Sequence, residues 1–455
     1  IMELPGEPGE GYSEEDALLI PVNVVEPRKK GASLISSVAN LSNTVLGSGM
    51  LALPYVARIA GVAQMAVLLG VLALVAHYSV YMLLAASERS GLGAKARYPS
   101  LGEAAFGRKG EIWVLASIII QQIGACTLYI QIISDVISPN RLFKNTGSKV
   151  LTSRPFWIVI FIVFIIFPLC SLKRIDSLRF SSICALVLEV GFAFMITGLG
   201  LSVSSDRTVH DLKFFSLNED FLSIVPVISF AFVCQFNVFP IYQELDRPSL
   251  RRMSLVSAIS MLICALTYGA AGAFGYLIFL DCTVSDVLKD FRFSGGGLFT
   301  MVDVFRFGMG LSFVFSYPLI IWELRHCVDV VLFGHRPWTW KRTLLLNFLI
   351  IVTCTTVALL VHDISVVFDF AGSTSAAMIL LIMPSAFFIK INKSRDIPLA
   401  DRRNVVAWII LVLGIALVPA CIAVSVIKLV HPTKGIDTCD ACMDNMGRNA
   451  SQCVI

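Results

Sequence analysis

Hydrophobic residues in this chain are gathered into long runs that are separated by short polar stretches. Each run has about 20 residues or more, the length that an α-helix needs to cross the hydrocarbon core of a bilayer. Of the 455 residues, 56% are hydrophobic and only 15% are charged. The pattern predicts an all-α polytopic membrane protein with eleven transmembrane helices. These helices are predicted at residues 33–57, 61–86, 111–138, 155–172, 180–204, 221–243, 253–280, 299–324, 343–361, 364–389 and 404–430.

The first hydrophobic run is interrupted by polar residues and glycines. Residues 40–51 read Asn-Leu-Ser-Asn-Thr-Val-Leu-Gly-Ser-Gly-Met-Leu, and Pro54 follows shortly after. Because lipid offers no hydrogen-bond partners to the backbone, a helix can break at this depth only where protein or a cavity encloses it. Secondary transporters bind their substrates at such broken helices near the bilayer midplane. The segment therefore predicts a transport site.

A second interrupted run supports this interpretation. Residues 229–244 place Gln235, Asn237, Pro240 and Tyr242 inside the sixth predicted helix. Pro240 removes one backbone donor, so the helix must kink or unwind there. Each kink taken alone could serve packing only. Breaks in helices one and six, with five helices from one to the other, are typical of an inverted five-plus-five repeat.

This interpretation divides the chain into segments. The first repeat covers residues 33–204, the second covers 221–389, and 404–430 forms the eleventh helix. Residues 1–32 contain four prolines and few aliphatic residues, and they lack the pattern of a signal peptide. They are predicted to form a disordered cytosolic tail. Residues 431–455 are predicted to form an extracellular or luminal tail.

Lys and Arg residues indicate the orientation in the membrane. Of the 36, 23 lie on the side of the N-terminal tail and 12 on the opposite side, with Arg306 inside a helix. This bias places the N-terminal tail in the cytosol. The C-terminal tail then faces an oxidising compartment, where Asn449 is a glycosylation acceptor and the pair Cys439 and Cys442 favours a disulfide over a zinc site.

Four stretches of the chain carry a family resemblance. They are the first-helix string with Gly47-Ser48-Gly49, the stretches Phe230–Cys234 and Pro240–Leu245, and the late Pro384–Lys390. Over roughly residues 33–430 the chain resembles the amino acid/auxin permease family, and within it the sodium-coupled neutral amino acid transporters. The resemblance implies a LeuT-type fold of the APC superfamily, with two inverted five-helix repeats plus one helix. Where many animal members have His after the cysteine of helix six, this chain has Gln235.

The two breaks contain groups suited to an α-amino acid. Free N–H groups at an unwound, glycine-rich helix start bind a carboxylate, and unwound carbonyls accept hydrogen bonds from an ammonium group. Phe230 is expected to border the side-chain pocket, although Phe in a membrane helix more often serves packing. The candidate substrate-binding residues are Gly47, Ser48, Gly49, Phe230, Cys234, Gln235 and Asn237.

Hard oxygen ligands for a sodium ion are also present. Asn43 lies one turn before Gly47, and Ser312 and Ser316 lie on one face of the eighth helix. The family resemblance implies a sodium ligand at Asn43 and another at Ser316. The two serines could instead allow close helix packing, and for Ser312 we favour that interpretation.

Two carboxylates lie at membrane depth, where a charge is costly. Glu189 is in the middle of the fifth helix, and Asp369 is near the start of the tenth. Either could couple transport to protons, or could be paired with a structural partner such as Arg306. The structural role is favoured for Glu189, and both roles stay open for Asp369.

No catalytic or nucleotide-binding motif occurs in the sequence, which argues against an enzyme, an ATP-driven pump or a nucleic-acid-binding protein. The prediction is a monomeric secondary active symporter of small neutral amino acids that works by alternating access. It needs no cofactor beyond a coupling ion, Na⁺ being favoured over H⁺. A proton-coupled vacuolar or lysosomal transporter, an amino acid sensor and an ion channel are the alternatives. Plasma membrane and vacuole or lysosome are equally open.

Overall fold

The computed structural model describes residues 31–137, 154–171, 179–203, 212–216, 221–290, 297–334, 339–361, 363–395 and 401–430. Almost all of them are helical. Nine helices within these ranges are long and apolar enough to cross a membrane. The residues beyond, including Asn449 and the cysteines of the C-terminal tail, lie outside the described part of the chain.

The helices follow the order of the predicted runs. They are α1 (Leu34–Val45), α2 (Gly49–Ala60), α3 (Val62–Ser90), α4 (Tyr98–Phe106), α5 (Arg108–Ile137), α6 (Arg154–Phe161), α7 (Phe167–Cys170), α8 (Arg179–Val203), α9 (Phe221–Ala231), α10 (Gln235–Glu244), α11 (Leu250–Phe279), α12 (Val287–Asp290), α13 (Gly297–Phe333), α14 (Trp340–Leu360), α15 (Ile364–Ala371), α16 (Met383–Ser394) and α17 (Arg402–Val430).

Two predicted transmembrane segments are composed of shorter pieces. The first run forms α1 and α2, with a break between Val45 and Gly49. The fourth run forms α6 and α7, joined by a π-helical turn at Ile162–Ile166. Because the pieces of these two segments are too short to span a membrane alone, nine helices meet the length criterion within the described residues. The total of eleven stays a prediction.

The sixth run is also broken, as the sequence predicts. Helix α9 ends at Ala231, and α10 begins at Gln235. Pro240 lies inside α10, one turn and a half after the break, so the unwinding precedes the proline. Helix α2 packs against α9, and α11 packs along α1 and α2. The two broken segments therefore lie together in the interior of the bundle.

The remaining helices form a frame around this pair. Helix α5 packs along α13 and against α14, while α8 packs against both α11 and α13. Helices α15 and α16 are joined by two π-helical turns, Gly372–Ala376 and Met378–Ile382. The first of these turns packs against α9.

Two helices differ from the prediction at the end of the bundle where α1 starts. Helix α13 continues to Phe333, nine residues beyond the predicted end at 324, and Asp329 in its last turns is paired with Arg342 of α14 at 2.8 Å. Helix α4 was not predicted, since its nine residues form no long apolar run. The hydroxyl of Tyr98 at its start donates to the carbonyl of Ile379 at 2.9 Å.

Polar interactions join separate parts of the chain at each end of the bundle. The backbone of Ala32 pairs with the end of α10, since its N–H donates to Glu244 at 2.7 Å and its carbonyl accepts from Asp246 at 2.9 Å. At the opposite end Lys213 pairs with Asp281 at 2.6 Å. The adjacent Cys282 is disulfide-bonded, and its partner is not among the cysteines whose side chains the structure describes.

Gly372 tests the packing of the π-helical turn on α9. An added Cβ there would collide with the backbone carbonyl of Pro226, which cannot move aside as a flexible side chain could. Gly372→Ala should lower the free energy of unfolding by roughly 1–3 kcal/mol, the usual cost of overpacking. The measurement is the thermal melting temperature of the purified protein in detergent. Gly70→Ala is the matched control, because nothing lies within 4 Å of an added Cβ there. An equal melting temperature in both variants would contradict the described packing.

Candidate substrate and cation site

A cavity of about 880 Å³ lies between the two broken helices and the frame. Its wall is formed by α1, α2, α9 and α10 on one side and by α5, α8 and α13 on the other. Eight of the twelve predicted site residues within the described ranges line it: Asn43, Gly47, Ser48, Gly49, Glu189, Phe230, Asn237 and Ser316. Cys234, Gln235, Ser312 and Asp369 do not.

The break between α1 and α2 exposes backbone donors to the cavity. The N–H of Leu46 still donates to Ser42 at 2.8 Å, and the next backbone bond runs from Met50 to Gly47 at 3.2 Å. Between them the N–H groups of residues 47–49 have no acceptor within the described structure. They lie at the start of α2, where the helix dipole is positive. These three donors fit an anion such as a carboxylate.

The two glycines at this break differ in their surroundings. An added Cβ at Gly47 would lie 3.6 Å from the hydroxyl of Tyr129, at ordinary contact distance. An added Cβ at Gly49 would lie 2.7 Å from the Cβ of Ala231. The close packing of α2 on α9 therefore requires Gly49, whereas the space beside Gly47 could hold a Cβ.

The break between α9 and α10 offers carbonyl groups and an apolar wall. Phe230, Ala231 and Val233 line the cavity, and the ring of Phe230 packs edge-on against Phe368 at 5.2 Å. Asn237 follows in the first turn of α10 and is half-buried in the same wall. Carbonyl groups at a helix end are acceptors of the kind that suits an ammonium group.

Gln235 does not face the cavity. Its side-chain Oε1 accepts a hydrogen bond from the N–H of Cys234 at 3.0 Å, so the side chain folds back on the start of its own helix. Both residues are fully buried. The structure therefore does not bring Cys234 and Gln235 together with the other predicted substrate residues.

A tyrosine that the sequence did not single out connects the two breaks. The hydroxyl of Tyr268 on α11 lies 2.6 Å from the carbonyl oxygen of Val45 and 3.3 Å from that of Ala231. Tyr268 is fully buried. It supplies a hydrogen-bond donor to the last residue of α1 and the last residue of α9, whose carbonyls lose their helical partners at the breaks.

The oxygen ligands predicted for a cation are divided by the fold. Asn43 and Ser316 are half-buried and line the cavity, on α1 and α13 respectively. Ser312 is buried behind the wall, with 1% of its surface exposed. Asp369 is buried on α15, away from the cavity, whereas Glu189 lines it. Of the two carboxylates, only Glu189 therefore shares the cavity with Asn43 and Ser316.

The cavity opens toward the end of the bundle where α1 starts. Its outer part is lined by Arg97 and Glu103 of the α4 region, Glu244 at the end of α10, and His326 on α13. Glu323 lies deeper and accepts a hydrogen bond from Gln122 of α5 at 2.7 Å. Carboxylates therefore outnumber basic groups in this vestibule.

Solved structures of other proteins share this architecture. Mhp1 in its inward-facing conformation aligns with a TM-score of 0.56 at 12% identity, over 87% of this chain and 92% of that chain. A manganese transporter of Eremococcus coleocola aligns with a TM-score of 0.55 at 13% identity, over 97% of this chain and 93% of that chain. At such identities the likeness concerns the fold, which is LeuT-type as the sequence predicts.

Sequence comparisons extend over almost the same length. The chain is 27% identical to the sodium-coupled neutral amino acid symporter 2 of Danio rerio over 429 residues, 88% of this chain and 83% of the symporter. The profile of the transmembrane amino acid transporter proteins matches residues 30–427. This confirms the resemblance found in the sequence. The chain therefore belongs to the transmembrane amino acid transporter family.

Proposed function

We propose that this protein is a secondary active symporter that moves a small neutral amino acid together with Na⁺ by alternating access. The observation that carries the proposal is the row of three backbone N–H groups at residues 47–49, without an acceptor in the described structure, facing a cavity that also contains Asn43 and Ser316. A carboxylate and a cation can both bind there.

The size and walls of the cavity support a small substrate. The donors of residues 47–49 would hold the carboxylate, and the carbonyls at the end of α9 would accept from the ammonium group. Phe230 and Phe236 line the same cavity and would border an uncharged side chain. All these residues belong to one chain, so a monomer is sufficient for transport.

Two observations support Na⁺ as the coupling ion: the chemistry of the candidate ligands and the name of a related protein. Asn43 and Ser316 present neutral oxygens, which suit a hard monovalent cation. The Danio rerio relative is named as a sodium-coupled symporter of neutral amino acids. In this proposal α1 and α13 approach each other across the ion, so cation binding favours closure around the substrate.

The cavity is proposed to open to the cytosol. It opens at the end where α1 starts, which is the side enriched in Lys and Arg. The disulfide-bonded Cys282 lies after α11, at the opposite end, as expected for an oxidising compartment. The described conformation is thus the cytosol-facing one of the transport cycle.

Uptake by the purified protein in liposomes tests the proposal. An inward Na⁺ gradient should drive accumulation of a labelled small neutral amino acid above its external concentration, and choline in place of Na⁺ should abolish this accumulation. Uptake that never exceeds equilibrium would indicate a channel, and binding without uptake would indicate a sensor. Equal uptake in choline that collapses with a protonophore would replace Na⁺ by H⁺ as the coupling ion.

Gly47 and Gly49 separate ligand binding from packing. Gly47→Ala places a methyl group near the free N–H groups without a collision, so the protein should fold and its apparent affinity for the amino acid should fall about tenfold. Gly49→Val adds bulk against Ala231, and it should lower the yield of folded protein instead. Uptake kinetics and size-exclusion profiles distinguish the two effects. Wild-type affinity in Gly47→Ala would contradict the assignment of the carboxylate site.

Asn43 and Ser316 test the cation ligands. Asn43→Ala and Ser316→Ala each remove one neutral oxygen, so the Na⁺ concentration for half-maximal uptake should rise several-fold, while amino acid affinity at saturating Na⁺ changes less. Partial rescue by high Na⁺ is expected because other oxygens remain.

Asp369→Asn is the matched control, since Asp369 does not line the cavity. Its Na⁺ dependence should be close to that of the wild type. If instead Asp369→Asn changed the Na⁺ dependence and the other two variants did not, the placement of the cation at α1 and α13 would be wrong.

A further inference from the structure

Glu189 is a buried carboxylate that faces the cavity without a hydrogen-bond partner. It lies in the middle of α8, has 4% of its surface exposed and lines the same cavity as Asn43 and Ser316. Its Oε2 atom is buried and makes no hydrogen bond. An unpaired charge at this depth is expensive, so Glu189 needs either a proton or a compensating cation.

Among the residues that the structure describes, no Lys, Arg or His forms a salt bridge with Glu189. Arg306, the structural partner that the sequence suggested, has interactions of its own in the structure. Among the described residues that line the cavity, Arg97 and His326 are the basic ones, and both are exposed at its outer part. The structural explanation for Glu189 therefore lacks its partner.

The groups around Glu189 are oxygens and weak acids rather than bases. Tyr129 on α5 lines the same cavity, and α8 packs against α11, the helix that carries Cys264 and Tyr268. The Cys264 thiol contacts the carbonyl of Ser42 at 3.8 Å, and the Tyr268 hydroxyl donates to that of Val45 at 2.6 Å.

The wall of the cavity that Glu189 lines also includes Asn43, Thr44 and Val45, the last turn of α1. That turn carries the negative end of the helix dipole, and its carbonyls repel a carboxylate. A cation between them would convert the repulsion into attraction. The carboxylate, the α1 carbonyls and Asn43 then present only oxygen atoms, which is the ligand type that Na⁺ prefers.

Further unpaired oxygens lie on the neighbouring helices. The hydroxyls of Ser42 on α1 and Ser312 on α13 are buried and make no hydrogen bond in the structure. Helix α8 contacts α13 next to Glu189, since an added Cβ at Gly308 would meet the side chain of Leu188 at 2.9 Å. Ser312 lies one turn further along α13 on the same face.

We infer that Glu189 is the anionic ligand of the coupled cation, which it holds against the end of α1 beside α11 and α13. This inference rests on the proposed function and deepens it, because the sodium site then contains one full negative charge in addition to neutral oxygens. The bound ion neutralises Glu189, so the ion-loaded site and the empty site differ by one charge.

The closing experiment compares the Na⁺ dependence of uptake in three variants. Glu189→Gln keeps the shape and removes the charge, so the Na⁺ concentration for half-maximal uptake should rise about tenfold or more. The amino acid KM at saturating Na⁺ should change less than twofold. Glu189→Asp keeps the charge and should restore part of the Na⁺ affinity. Glu111→Gln removes another cavity-lining carboxylate, near the opening, and should leave the Na⁺ dependence within twofold of the wild type.

A binding measurement gives a readout that does not require transport. NaCl, compared with choline chloride at equal ionic strength, should raise the melting temperature of the wild type and of Glu111→Gln, because a ligand that binds the native state stabilises it. Glu189→Gln should lose this rise. A role in folding alone would instead lower its melting temperature equally in both salts.

The outcomes separate the inference from the proposed function. If wild-type uptake requires Na⁺ and Glu189→Gln has the same Na⁺ dependence, the inference is wrong and the symport function stands. If uptake is driven by protons instead, sodium coupling is wrong. The Glu189→Gln variant then tests whether Glu189 binds the proton. Loss of proton-driven accumulation with retained amino acid exchange would support a cation ligand, and unchanged accumulation would overturn it.

Discussion

The whole arrangement depends on one constraint, the need of every backbone polar group inside the bilayer for a hydrogen-bond partner. At the breaks in the first and sixth transmembrane segments this need is not met by the helices themselves. The hydroxyl of Tyr268 serves the carbonyls of Val45 and Ala231, and the N–H groups of residues 47–49 face the cavity. The donors left without an acceptor in the described structure are the ones that the proposed carboxylate site uses.

The sequence predicted the breaks and the fold because their causes are local. Clustered glycines and hydroxyls mark the first break, and runs of membrane length mark the helices. The role of Gly49 was predicted only in part, since its contact with Ala231 depends on how α2 packs on α9. The contacts of Tyr268 could not be predicted from the sequence, because a tyrosine in an apolar run has the same pattern whether or not it bridges two distant segments.

The two buried carboxylates illustrate the same limit. Sequence position gives depth in the membrane, and Glu189 and Asp369 are both deep. It does not give the direction of a side chain around its helix, which depends on the packing of α8 and α15. The structure turns Glu189 toward the cavity and Asp369 away from it. The direction of Gln235 was unpredictable for a similar reason, because its side chain accepts a hydrogen bond from the N–H of Cys234 and does not line the cavity.

The backbone pairing of Ala32 with Glu244 and Asp246 has a mechanical consequence. It joins a residue just before α1 to the end of α10. These two helices, one from each broken segment, are therefore held together at the same point. Swinging one half outward while the other stays in place would rupture two hydrogen bonds in a crowded spot, where Gly31 already abuts the Asp246 backbone. The pairing thus couples α1 and α10 mechanically, because neither helix can tilt away from the other without losing it.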